Sequence, residues 1–167
     1  MMAHRLLIVL LLGALAWAAP MIARAQNCNV EVTAVAFGAY DPTSAVPRDA
    51  NGSVQVECVL AQIPVEIRLD SGNNAPGNNV ANRRMVSGAY NLPYQLYTDA
   101  ARGIVWGNTN TTSVSCTTGV TSGVCTGSSA VFGIFQRATR PIYGRIPTAQ
   151  DVGVGSYSDQ VDVTIIF

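Results

Sequence analysis

The sequence contains no lysine, and its single histidine is His4, near the start of the chain. Without either residue type in the body of the chain, the Ser–His, Cys–His and Ser–Lys arrangements that activate a nucleophile cannot be assembled there. Charge is scarce as well: ten arginines stand against ten acidic residues, and together they make up only 12% of the chain. No basic stripe exists to follow a phosphate backbone or an anionic lipid surface, so nucleic acid is excluded as a partner. Cysteine is limited to Cys28, Cys58, Cys116 and Cys125, with no C-x-x-C pair. With histidine limited to His4, the chain offers no zinc-type ligand set, and neither a metal nor another cofactor is expected. A glycosidase-type pair among the acids is the one catalytic arrangement left, but several acids alternate with apolar residues inside strands, which suits solvent-facing positions.

Long hydrophobic runs are absent except for one. Residues 6 to 19, LLIVLLLGALAWAA, follow His4 and Arg5 and precede Ala23-Arg24-Ala25, an A-x-A cleavage signature. Residues 1–25 read as a secretory signal peptide, which leaves 26–167 as a single domain. Past Ala25 the charge is eight arginines, ten less Arg5 and Arg24, against ten acids, or −2. Four cysteines behind an export signal point to two disulfides, for which three pairings exist. Cys28 with Cys58 and Cys116 with Cys125 is the expected pairing, because CTTGVTSGVC is a short Gly-rich loop whose ends meet easily.

Helical periodicity is missing throughout; short alternating runs recur instead. Residues 30 to 37 (VEVTAVAF) place Val30, Val32 and Ala34 on one face and then slip so that Val35 and Phe37 become the apolar pair, which predicts a bulge or bend. Residues 38 to 52 read as a loop with Asp-Pro and Asn-Gly turn chemistry. The runs at 53 to 60 and 63 to 69 alternate strictly, with Val54, Val56 and Cys58 on one side of the first and Ile63, Val65, Ile67 and Leu69 on one side of the second. Only Ala61 and Gln62 separate them, so they are expected to be sheet neighbours. Residues 71 to 84 read as a surface loop that includes a solvated Arg83-Arg84 pair. Further strands are expected at 90 to 99, with Pro93 at an edge, and at 104 to 107, 130 to 137 and 141 to 146. Trp106, Tyr94 and Tyr97 suit either core packing or a sugar-binding surface. The spacing implies an all-β antiparallel sandwich.

From Tyr157 the odd positions read Tyr157, Asp159, Val161, Val163, Ile165 and Phe167. This is a strand with one buried face, and no residue follows Phe167 that could turn back to pair with its free side.

Taken in order, Cys28, FGAYDP at 37–42, VQVEC at 54–58, LPYQLYTDA at 92–100, VWG at 105–107, YGRIP at 143–147 and the terminal GSYSDQVDVTIIF resemble the spore coat protein U domain family. The resemblance implies an immunoglobulin-like sandwich, incomplete for want of its final strand, with an open groove beside the C-terminal strand. It also implies a periplasmic chaperone that fills the groove first, an outer-membrane usher, and other pilus subunits whose N-terminal extensions replace the chaperone. The product would be an archaic chaperone–usher pilus or coat at the cell surface with a role in adhesion or biofilm. On this basis Tyr157, Val161, Val163, Ile165 and Phe167 are the groove residues. Family subunits carry a donor segment before the first cysteine, whereas only Gln26 and Asn27 would precede Cys28 here. A tip, terminal or minor subunit is therefore expected, unless residues 29 to 37 are themselves the donor. The competing reading is a self-sufficient secreted β-sandwich binding module.

Overall fold

A computed structural model describes residues 27–167, so the predicted signal peptide lies outside the described residues. Ten strands follow in chain order: β1 (Cys28–Thr33), β2 (Arg48–Val59), β3 (Pro64–Leu69), β4 (Arg84–Ser87), β5 (Tyr90–Pro93), β6 (Gln95–Tyr97), β7 (Val114–Thr117), β8 (Thr126–Ala130), β9 (Phe135–Ile146) and β10 (Val163–Ile166). All pairings are antiparallel. One sheet runs β1-β2-β9-β6, with β8 also on β9; the other runs β10-β3-β7; β4 and β5 form a separate hairpin.

The two principal sheets enclose the core because alternate residues of their strands are apolar and point inward. Val54, Val56 and Cys58 of β2, Val65, Ile67 and Leu69 of β3, and Ala138, Ile142 and Ile146 of β9 are all buried. Trp106 sits among them fully buried, and its indole nitrogen donates to the Ile67 carbonyl at 3.1 Å. With Tyr94 also buried and Tyr97 half-buried, these rings form no aromatic binding surface. Disulfides join Cys28 to Cys58, which are directly opposed in the β1–β2 register, and Cys116 to Cys125.

Several elements differ from the sequence expectations for identifiable reasons. β2 and β3 belong to different sheets. Leu60 turns the chain with a left-handed φ of 62°, and Thr118 holds the crossover by accepting from the Ile63 amide at 2.8 Å and donating to Ala61 O at 3.2 Å. Asn51 and Gly52 lie within β2 rather than in a turn. Gly52 is required there because a Cβ would sit 2.4 Å from Thr33 O, where the chain leaves β1. β1 itself ends at Thr33, so the slip in its alternation marks a departure from the sheet. Residues 130 to 137 are not one strand: Val131, Phe132 and Gly133 all take positive φ and close the β8–β9 hairpin. Residues 90 to 99 are divided at Tyr94 between two sheets, and residues 104 to 107 contribute a single bridge, Val105 to Tyr97.

The Asn-rich stretch at 71 to 84 is partly interior. It holds two 3-10 turns, Pro76–Asn78 and Val80–Asn82, and leads to Arg83, which is 1% exposed. The Arg83 guanidinium donates to the carbonyls of Leu69 and Asp70 and to Gln95 Oε1. Burial lowers its pKa to about 10, so it is still a cation at neutral pH. Arg84 opens β4 and donates to Asn74 O at 2.6 Å.

Candidate functional site

β1 and β10 are each the last strand of their sheet, and they face one another across the mouth of the sandwich. Neither outer edge has a strand partner among the described residues. In an antiparallel ladder every second residue turns its amide and carbonyl toward the partner. On β10 the paired set includes Asp162, whose carbonyl accepts from the Asp70 amide at 3.1 Å. The main-chain groups of Val161, Val163 and Ile165 therefore point to the vacant side. On β1 the Asn27 carbonyl accepts from the Val59 amide at 3.1 Å, so those of Cys28, Val30 and Val32 are the outward ones. Two rows of unsatisfied hydrogen-bonding groups thus border one gap.

Between them runs a groove with two cavities. The smaller, about 300 Å³, has Val32 and Val35 on one wall, Val161 and Val163 on the other, and Leu69, Leu96 and Ile142 beneath. The larger, about 700 Å³, lies toward Tyr157 and is lined by Tyr40, Leu92, Ile146 and Val152. Val35, Phe37, Met85 and Asp159 border both and form the neck between them. Val30 and Val32 are 39% and 49% exposed, and Val161, Val163 and Ile165 are half-buried. These are core-facing side chains that nothing described covers.

The segment ahead of β10 is fixed before the strand begins. Ser158 forms a two-way backbone bridge with Val86, and Gln160 O accepts from the Asn73 amide at 3.0 Å. Tyr157 is held by a hydrogen bond from its hydroxyl to Gly153 O, 2.6 Å. Among the described residues, Asp159 is the only acid that lines the groove. Its Oδ2 accepts from the Tyr94 hydroxyl at 2.7 Å, and its Oδ1 accepts from Asn74 Nδ2 at 2.9 Å and the Asn74 amide at 3.2 Å. Burial, reinforced by this carboxylate, raises the Tyr94 pKa.

Of the residues singled out from sequence, Val161 and Val163 line the smaller cavity and Tyr157 the larger, and Ile165 packs against the core edge. Phe167 lies elsewhere, half-exposed in a shallow recess with Pro64, Glu66 and Ser115. The opposite wall, Val32, Val35 and Phe37, was not picked out as groove; its one signal was the slip in alternation. Residues 29 to 33 are paired with β2 along their length, so they do not form a free donor segment. Among the described residues no cluster of His, Cys, Asp and Glu could hold a metal.

A sequence profile of the Spore Coat Protein U domain matches residues 15–164. "Protein U" of Myxococcus xanthus is 35% identical over 141 residues, covering 78% of this chain and 70% of that protein. The fold is similar to one chain of the CsuC–CsuE chaperone–tip adhesion subunit pre-assembly complex from archaic chaperone–usher Csu pili of Acinetobacter baumannii. The TM-score is 0.53 at 17% identity over 85% of this chain. This chain spans 40% of the length of that one.

Proposed function

The chain belongs to the Spore Coat Protein U domain family, and from that premise we propose that it is a structural subunit of a secreted surface fibre or coat, assembled by donor-strand complementation. The observation that carries this reading is the pair of unsatisfied strand edges, on β1 and β10, facing each other across one apolar groove. A small ligand would satisfy neither row of main-chain groups; an added strand satisfies both and buries alternate side chains in the cavities. Finishing the burial of Val30, Val32, Val161, Val163 and Ile165 is worth about 1 kcal/mol each. The sum approaches the whole stability of a small domain, about 5 to 15 kcal/mol. An unfilled groove is thus a liability, both in stability and as an exposed edge open to chance pairing.

The proposed partners follow: a periplasmic chaperone that lends a strand during transit, an outer-membrane usher, and the other pilus subunits that replace the chaperone. Residues 1–25 act as the export signal, 26–167 form the domain, and the final location is the cell surface. The fold likeness to a chain from a chaperone–tip adhesion subunit complex supports this route. An adhesive role has a candidate surface in the apolar pole made by Leu60, Val131, Phe132 and Ile134, where Phe132 is fully exposed and Leu60 is 77% exposed.

The test is periplasmic expression of residues 26–167 alone and together with a chaperone encoded beside it. Solubility only as a one-to-one complex on gel filtration supports the reading. A freely soluble monomer with a single cooperative melt overturns it in favour of a self-sufficient binding module.

A further inference from the structure

The neck of the groove carries a polar group whose bonding is incomplete. A carboxylate offers about four acceptor positions. At Asp159, Oδ1 uses two on the Asn74 amide and side chain, and Oδ2 uses one on the Tyr94 hydroxyl. Asp159 takes part in none of the ion pairs among the described residues. Its orientation is set by contacts: three hydrogen bonds hold it, and it packs so closely over Gly72 that a Cβ there would lie 2.1 Å from Oδ2. The remaining acceptor position belongs to an anionic group that borders both cavities.

An extended strand laid along β10 advances about 3.3 Å per residue, so its inward side chains fall about 6.6 Å apart. Its inward positions pass the smaller cavity beside Val32, Val161 and Val163, then the neck at Val35, Phe37, Met85 and Asp159, then the larger cavity toward Tyr40 and Tyr157. An apolar side chain at the neck would cut the last acceptor position of the carboxylate off from water without giving it a donor. A side-chain donor there would complete it.

We propose, building on the complementation reading above, that Asp159 selects the incoming strand. The segment this groove accepts carries Ser, Thr or Asn at the position facing Asp159, apolar residues at the inward positions on its Val163 side, and a large apolar residue on its Tyr157 side. The neck thereby sets register as well as partner, because sliding the strand by two residues places an apolar side chain on the carboxylate.

The test refolds the full chain with synthetic peptides of about twelve residues that alternate valine with threonine. Each inward valine is replaced in turn by serine or by aspartate, and affinity is read from competition against a labelled all-valine peptide. Serine at one inward position, and only there, should tighten binding about tenfold, and aspartate at that same position should weaken it most. In the Asp159→Asn protein the serine advantage should fall below about threefold and the aspartate penalty should shrink. A residue that only braced the fold would change all peptides alike. Equal or weaker binding of serine at every position, with the all-valine peptide still bound, overturns the selection while leaving complementation standing. Binding of no peptide at all sinks both.

Discussion

The guanidinium of Arg140 lies over the indole of Trp106, 5.6 Å from the ring centroid, at the centre of the sandwich. Arg140 belongs to the inward face of β9, is 3% exposed, and donates to the carbonyls of Thr98 and Val124. It thus ties the 98–104 turn and the disulfide-closed loop to one buried cation. Lysine keeps the charge but not the planar fork that reaches both carbonyls. Arg140→Lys should destabilise the domain by about 1 to 3 kcal/mol in urea unfolding. Wild-type stability would show that the fork is dispensable.

Gly52 and Gly144 let the chain leaving β1 lie close against the sheet. A Cβ on Gly52 would meet Thr33 O at 2.4 Å, and one on Gly144 would meet Val35 Cγ1 at 2.6 Å and Phe37 Cζ at 2.8 Å. Gly52→Ala should cost about 1 to 3 kcal/mol. Because the displaced segment is one wall of the groove, strand capture should weaken together with the melting temperature. A drop in melting temperature with capture unchanged would mean that the wall tolerates the shift.

The two disulfides close loops of different length, with sequence separations of 30 and 9. Loop-closure entropy assigns them about 3.5 and about 2.7 kcal/mol. Replacing Cys28 and Cys58 by serine should therefore lower stability more than replacing Cys116 and Cys125. Only the first pair should also raise hydrogen exchange along β1. Equal exchange in both variants would show that backbone pairing alone secures that edge.

No histidine occurs in residues 27–167, so stability should be level between about pH 5 and 8. Hydrogen bonding to Arg145 holds the Asp49 carboxyl below its usual range, and the Ile104 and Gly103 amides do the same for Asp99. A depressed carboxyl contributes stability that is fully present above its unfolded value, near pH 4, and is lost as pH falls through the folded value. Tyr94 acts in the opposite sense. Its pKa is raised by burial, so its contribution is present below about pH 10 and is lost as pH rises further. A melting-temperature profile against pH should be flat-topped with both shoulders, and Tyr94→Phe should soften the alkaline one. A maximum centred near pH 6.5 would contradict this assignment.

How far the fold could be read from the chain depends on which forces are local. Val54, Val56 and Cys58, and Val65, Ile67 and Leu69, announce their burial by period two, and all six are buried. Which sheet each strand joins is not local. The crossover at Leu60 is decided by Thr118, far along the chain, so the short link looked like a hairpin. The hairpin tip at Val131 and Phe132 has strand-like composition with left-handed backbone, and composition cannot show that. Arg83 and Arg140 are buried against backbone carbonyls, acceptors that every residue carries, so no sequence pattern marks them. Along β10, the terminal alternation puts Val161, Val163 and Ile165 on one side, and these are the half-buried positions. The β1 wall depends on where the chain leaves its sheet, and Asp159 matters only once Tyr94 and Asn74 are brought to it.

Phe132 sits in the left-handed region with φ 55°, preceded by Val131 at φ 51°, a conformation that costs non-glycine residues of order 1 to 3 kcal/mol. Phe132→Gly should relieve that backbone strain and leave stability unchanged or higher, while adsorption of the assembled protein to an alkyl-coated surface falls severalfold. Unchanged adsorption would remove the pole from the adhesive surface.

The position of the Cys28–Cys58 bridge has a mechanical corollary. Asn27 is the last described residue before it, and the covalent link to β2 comes one residue later. Tension applied at Asn27 reaches a sulfur–sulfur bond before it can peel β1 from its neighbour, and passes into the long β2–β9 ladder. Pulled from that end, the load bypasses β1, and the edge strand that borders the groove stays paired with β2.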